Sequence, residues 1–159
     1  LLRRDPFGSS CAGGGMSSLT VNRCLNDKSM DHIDHALGRP LDPMGETYRN
    51  HFATSPDSDE AKAFRQSPNW EEASRRGAGN MAFFYVTQAG ARALRDHLKS
   101  IGDKHRAFSI RFEGYTAQVV AETASKAKYN HWLKISDCWS ELTFKEYCKR
   151  ARVVSGGAA

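Results

Sequence analysis

The 159-residue chain has no run approaching the roughly 18 apolar residues that a membrane-spanning helix needs. No CxxC pair occurs among its four cysteines, Cys11, Cys24, Cys138 and Cys148. A chain of this length can build a core without a disulfide framework, so the cysteines read as thiols. No GxSxG, HExxH or phosphate-cradling glycine loop after a strand is present. Gly13–Gly15 precedes no strand-helix unit of that kind. These absences argue against the common hydrolase, metalloprotease and nucleotide-binding chemistries. The expectation is a cytosolic protein with no catalytic residues, no cofactor and no membrane contact.

What is present begins with charge. The formal net charge is +5. From Ser125 onward there are seven Lys or Arg against three acids, and over residues 1–124 sixteen against fifteen. The C-terminal segment is therefore the electrostatic half of the chain. Such asymmetry suits a phosphate backbone or an acidic protein surface and carries no information about fold. A solvated helix face is the plainer explanation of the same residues.

The ends are featureless: residues 1–15 read as a disordered leader, or as an upstream extension of a frame starting at Met16, and Ser155–Ala159 as a tail. Residues 16–102 are expected to form a mostly helical part. Met30, Ile33 and Leu37 recur at helical spacing before Gly38 and Pro40. A short helix is expected over 46–52. Asp57 with Glu60 reads as a capping box opening a helix to about Gln66. Ser67, Pro68, Glu71, Glu72 and Gly77 punctuate a further helix carrying Trp70. Met81–Val86 reads as a buried strand, and Thr87 as the cap of a helix with Leu94 and Leu98 in its core stripe, ending at Gly102.

Residues 103–154 are expected to form a basic ββααβ part. Phe108, Ile110 and Phe112 alternate with Ser109, Arg111 and Glu113, and Gly114 turns the chain into a second strand. A helix over 124–135 is expected to bury Tyr129, Trp132 and Leu133 and to expose Lys126, Asn130 and Lys134. Thr143 with Glu146 caps another helix, and Val153 and Val154 read as a closing strand. The fold class expected is α+β.

His32 and His35 share a helix face, with Cys24 and His51 near in sequence, yet their spacing matches no structural zinc pattern. With Asp31 and Asp34 interleaved, a solvated His-Asp face is the better reading, and no metal site is assigned. Basic and aromatic side chains together suit single-stranded nucleic acid, but at their helix and strand spacings most of the aromatics read as core. Trp139, in a connection, reads as a cover for the core edge or as a partner contact.

The stretch FFYVTQAGARALRDHL, Phe83 to Leu98, resembles the final strand and following helix of winged-helix proteins. HALGRP at His35, YRNHFAT at Tyr48 and the segment Val119 to Val153 look like small phage and prophage proteins of no assigned activity. The resemblance implies an accessory protein in the cytoplasm of a bacterial host. A winged-helix docking implies phosphate contacts from Arg49, Arg75, Arg76, Arg92 and Arg95. With Lys126, Lys134 and Trp139 from the C-terminal part, these are the candidate contacts to nucleic acid or an acidic partner. Binding to nucleic acid is the leading expectation, and a protein-protein module acting on a host factor the alternative.

Overall fold

The computed structural model describes residues 19–154; the expected leader and tail lie outside the described residues. The chain divides between His105 and Arg106 into two compact units. Both mix helices with a small antiparallel sheet, so the protein is α+β. Among the described residues no helix is long and apolar enough to cross a membrane.

In residues 19–105 the order is α1 (Lys28–Ala36), β1 (Phe52–Thr54), α2 (Asp59–Arg65), β2 (Trp70–Glu72), β3 (Ala82–Val86) and α3 (Gln88–Ser100). Asp27 caps α1 by accepting from the Ser29 and Met30 amides, and Gly38, at φ +80°, follows its end. Thr87 caps α3. The sheet order is β1-β3-β2, with every pairing antiparallel. Phe84, Val86 and Trp70 face the helices and meet Ile33, Phe64, Leu94 and Leu98 in one core. Trp70 stacks on Phe64 with ring centroids 4.0 Å apart.

The expected helical character of this unit needs two corrections. Residues 46–52 form no helix: Tyr48 stands exposed, and the Asn50 side chain bonds both the amide and the carbonyl of Val86, leading Phe52 into β1 opposite Phe84. Residues 67–77 form no helix either. Ser67 caps a single turn, after which β2 pairs with β3 and buries Trp70. Gly77 is not left-handed (φ −84°); it lies where a Cβ would come within 1.8 Å of the Phe83 ring. Local helix signals lose here to a partner strand and a buried indole. The order α1–β1–α2–β2–β3–α3 therefore has no helix between α2 and β3 longer than the 3₁₀ turn Ala78–Asn80. The cap of α2 is Ser58, one residue past the expected Asp57.

The His-Asp face of α1 also needs correcting, because Asp34 is fully buried. Arg23 clamps it through two bonds of 2.9 and 2.7 Å, and Arg39 bridges it to Asp31. Arg23 also reaches Asp103, whose other carboxylate oxygen lies 2.5 Å from His105 Nδ1. Burial pushes the Asp103 carboxyl up, but the His105 hydrogen bonds and the nearby positive charges outweigh it and leave its pKa lowered. This network ties the segment before α1 to the segment after α3.

In residues 106–154 the order is β4 (Arg106–Phe112), β5 (Tyr115–Ala121), α4 (Ala124–Ile135), α5 (Phe144–Arg150) and β6 (Arg152–Val154). Glu113 and Gly114, at φ +50° and +82°, form the two-residue hairpin turn between β4 and β5. Thr143 and Glu146 close a reciprocal capping box on α5. β4 is the central strand, flanked by β5 and β6.

Candidate nucleic-acid interface

Period-two alternation gives the second sheet two unlike faces. Phe108, Ile110, Phe112, Val119 and Ala121 point to α4 and α5 and form the core with Ala127, Leu142 and Tyr147. The opposite face carries Ala107, Ser109 and Arg111 from β4, Thr116, Gln118 and Val120 from β5, and Arg152 and Val154 from β6. Gln118 lies opposite Ser109, and Thr116 opposite Arg111, which on its other side meets Arg152. Five of the eight, Ala107, Arg111, Thr116, Gln118 and Arg152, are exposed and the others half-buried. None is a carboxylate.

Charge follows the same division. Residues 106–154 hold nine Lys or Arg against five acids, while residues 19–105 hold twelve against twelve. In the C-terminal unit Lys126 pairs with Glu122 and Arg150 with Glu113. Arg152 donates to the Lys149 and Ala151 carbonyls at the end of α5. Arg106, Arg111, Lys128, Lys134, Lys145 and Lys149 make no ion pair among the described residues.

The candidate residues named from sequence fall in both units. Arg49 is half-buried: its chain packs against Gly38, Nη2 donates to the His51 carbonyl, and the buried Nε has no partner among the described residues. Burial, followed by the charge of Arg49, holds the His35 imidazole below its ordinary pKa. Arg76 is spent on Glu72 and Arg95 on Asp96, whereas Arg75 and Arg92 are exposed and make no ion pair among the described residues. Lys134 is exposed. Trp139 covers the core edge, edge-on to Phe112 at 5.7 Å, with the Arg150 guanidinium over both rings.

α4 departs from expectation in what it buries. Ala127 and His131 face inward, and His131 Nδ1 bonds the Tyr147 hydroxyl at 2.7 Å. Tyr129 and Leu133, expected in the core, are 46% and 47% exposed beside Asn130 and Lys134. Trp132 stays half-buried, its Nε1 donating to the Leu142 carbonyl. The reason is a polar pair, His131 with Tyr147, taking the position that hydrophobicity alone assigns to the larger side chains.

Sequence reasoning missed the polar sheet face as a surface. Its signal was already in the Ser109 and Arg111 alternation, and the cross-strand register supplied the rest. Elsewhere, a cavity of about 330 Å³ is lined by His32, Asp59, Glu60, Phe64 and Trp70 among others. His32 there makes ring contacts with Phe52 and Phe64, and no hydrogen bond aims it at a nucleophile. Among the described residues no group of three His, Cys, Asp or Glu is placed to hold a metal ion. No protein-family model, curated protein or solved structure matches the chain.

Proposed function

We propose that this protein binds nucleic acid through the basic surface of residues 106–154, acting by occupancy and not by catalysis. The supporting observation is the cation excess of that unit, nine Lys or Arg against five acids, set against twelve of each over residues 19–105. Unpaired Lys and Arg bind a phosphate backbone by releasing its condensed counterions, a sequence-independent attraction that sets most of the affinity at low salt. An accessory role in the cytoplasm of a bacterial host, which the sequence resemblance implies, belongs to the same reading. A winged-helix-like docking, with Arg75 and Arg92 on the duplex backbone, is the lesser form of the same reading.

The test is an electrophoretic shift with random duplex DNA, single-stranded DNA and RNA across a salt series. The expected result is a shift at micromolar protein in low salt that weakens steeply as salt rises. No shift with any of the three at low salt removes the reading.

One observation favours a second reading. Tyr129 and Leu133 stand exposed on α4 next to Lys134, an aromatic and apolar pair rimmed by positive charge. That pattern suits an acidic protein surface with an apolar anchor. Under this reading charge reversal at Lys126 and Lys134 abolishes recovery of a defined acidic partner, and unchanged recovery removes α4 from consideration.

A further inference from the structure

The proposal above rests on charge and does not say which surface meets the nucleic acid. The geometry points to the polar face of the β5-β4-β6 sheet, and we infer that this face docks into the major groove of duplex DNA. The inference depends on the nucleic-acid reading and adds a surface, a ligand form and a groove to it.

Three features carry it. The first is chemical: the rows across the sheet run Val120 and Ala107, then Gln118, Ser109 and Val154, then Thr116, Arg111 and Arg152. Arg, Gln, Ser and Thr are the side chains that hydrogen-bond base edges, and small apolar groups contact the thymine methyl. The second is electrostatic. Arg111 sits directly opposite Arg152, whose Nη1 donates to the Lys149 and Ala151 carbonyls, so Arg111 is the cation of this face left without a hydrogen bond or ion pair among the described residues. Among the described residues no carboxylate shares the face, and Arg111, Ser109, Thr116 and Gln118 make no side-chain hydrogen bond.

The third feature is dimensional. β4 and β5 pair over seven residues as a two-stranded antiparallel ribbon, the form of β-structure that a major groove about 12 Å wide admits. Residues two apart on a strand, such as Ser109 and Arg111, stand about 6.8 Å apart, close to two base-pair steps of about 3.4 Å. The face holds no aromatic residue, so it offers no stacking platform for the bases of a single strand. The major groove of duplex RNA is too deep and narrow for side chains to read. Duplex DNA is the ligand that fits.

The experiment is fluorescence anisotropy of the full chain with a labelled duplex of about 20 base pairs, comparing Arg111→Glu, Arg111→Gln, Gln118→Ala and a Lys126→Glu/Lys134→Glu double variant. Arg111→Glu is expected to weaken duplex binding by tenfold or more, with Arg111→Gln, which removes the charge and leaves a polar amide, intermediate. Gln118→Ala is expected to narrow the affinity differences among duplexes of different sequence. The double variant on α4, which removes charge but no group on the sheet face, is expected to weaken binding to all duplex sequences alike and to leave the differences among them unchanged. Far-UV circular dichroism melts matching wild type show that the sheet variants fold.

Wild-type affinity in folded Arg111→Glu overturns the sheet-face inference and leaves the charge-based reading standing. Tighter binding to single-stranded DNA or RNA than to duplex DNA overturns the choice of ligand. No binding by the wild type at low salt overturns both.

Discussion

Asp34 is a carboxylate with no access to water, held by two guanidinium groups. Such a charge depends on its partners, because breaking a buried pair strands the other member in a medium that solvates it poorly. Asp34→Ala is expected to destabilise the 19–105 unit by about 3–5 kcal/mol. Chemical denaturation followed through a variant keeping Trp70 as its one tryptophan measures this. A loss under about 1 kcal/mol would mean that Arg23 and Arg39 find water instead.

His131 offers a test of opposite sign to that of an ordinary salt bridge. Burial, with a smaller contribution from Lys134, holds its pKa below 6.5, and burial pushes the Tyr147 phenol up to about 12. Neutral His131 is the folded form, so between the folded and unfolded pKa values the unfolded chain binds the extra proton. Its contribution to stability is complete above about pH 6.5 and is lost as pH falls from there through the folded value. Unfolding of residues 106–154, followed through Trp132 and Trp139, is expected to shift to lower denaturant over that window. His131→Gln is expected to remove that part of the shift. Nothing in the spacing of α4 distinguishes His131 from Tyr129 as the inward residue; only the Tyr147 hydroxyl, sixteen residues away, decides it.

At the scale of elements, the sequence was legible where the cause was local. The Thr87 cap, the Thr143–Glu146 box and the Glu113–Gly114 turn are each set by residues within four positions of one another, and each stands where expected. β1 and β2 were illegible because their cause is β3, whose paired residues lie 12 to 32 positions further along. Ser67 and Pro68 spell a helix start that the pairing of Trp70 with Val86 overrides. The candidate site divides the same way. Lys134 was legible as an exposed cation, while the polar sheet face needed a register that no single strand carries.

The first turn of α3 carries an element-scale test. Gly90 is buried, and a Cβ there would come within 2.5 Å of the Asn69 carbonyl oxygen and 2.8 Å of the Val86 side chain. Helix propensity alone favours alanine by about 1 kcal/mol. The close approach of α3 to the segment entering β2 opposes it, because a backbone oxygen cannot move aside cheaply. Gly90→Ala is expected to lower stability by about 1–3 kcal/mol, read from thermal melts. A rise in melting temperature would show that α3 can slide away from Asn69.

At the scale of the whole molecule, the chain joins a unit of balanced charge to a unit carrying an excess of cations. In the first, Arg23, Arg39, Arg65, Arg76 and Arg95 pair with carboxylates, and its twelve Lys and Arg are matched by twelve acids. In the second, several cations make no ion pair among the described residues, and the polar face of its strands carries no acid among them. The proposed function assigns the contact with nucleic acid to the second unit. Charge placed this way acts at a distance of about a Debye length and speeds association with a polyanion at low salt.

The salt dependence of duplex binding by the intact wild-type chain addresses the central claim most directly. A plot of log affinity against log salt concentration is expected to be linear with a slope steeper than about −2, corresponding to two or more neutralised phosphates. An affinity that is flat across the salt series, or no binding at the lowest salt, would contradict a phosphate-binding function for this protein.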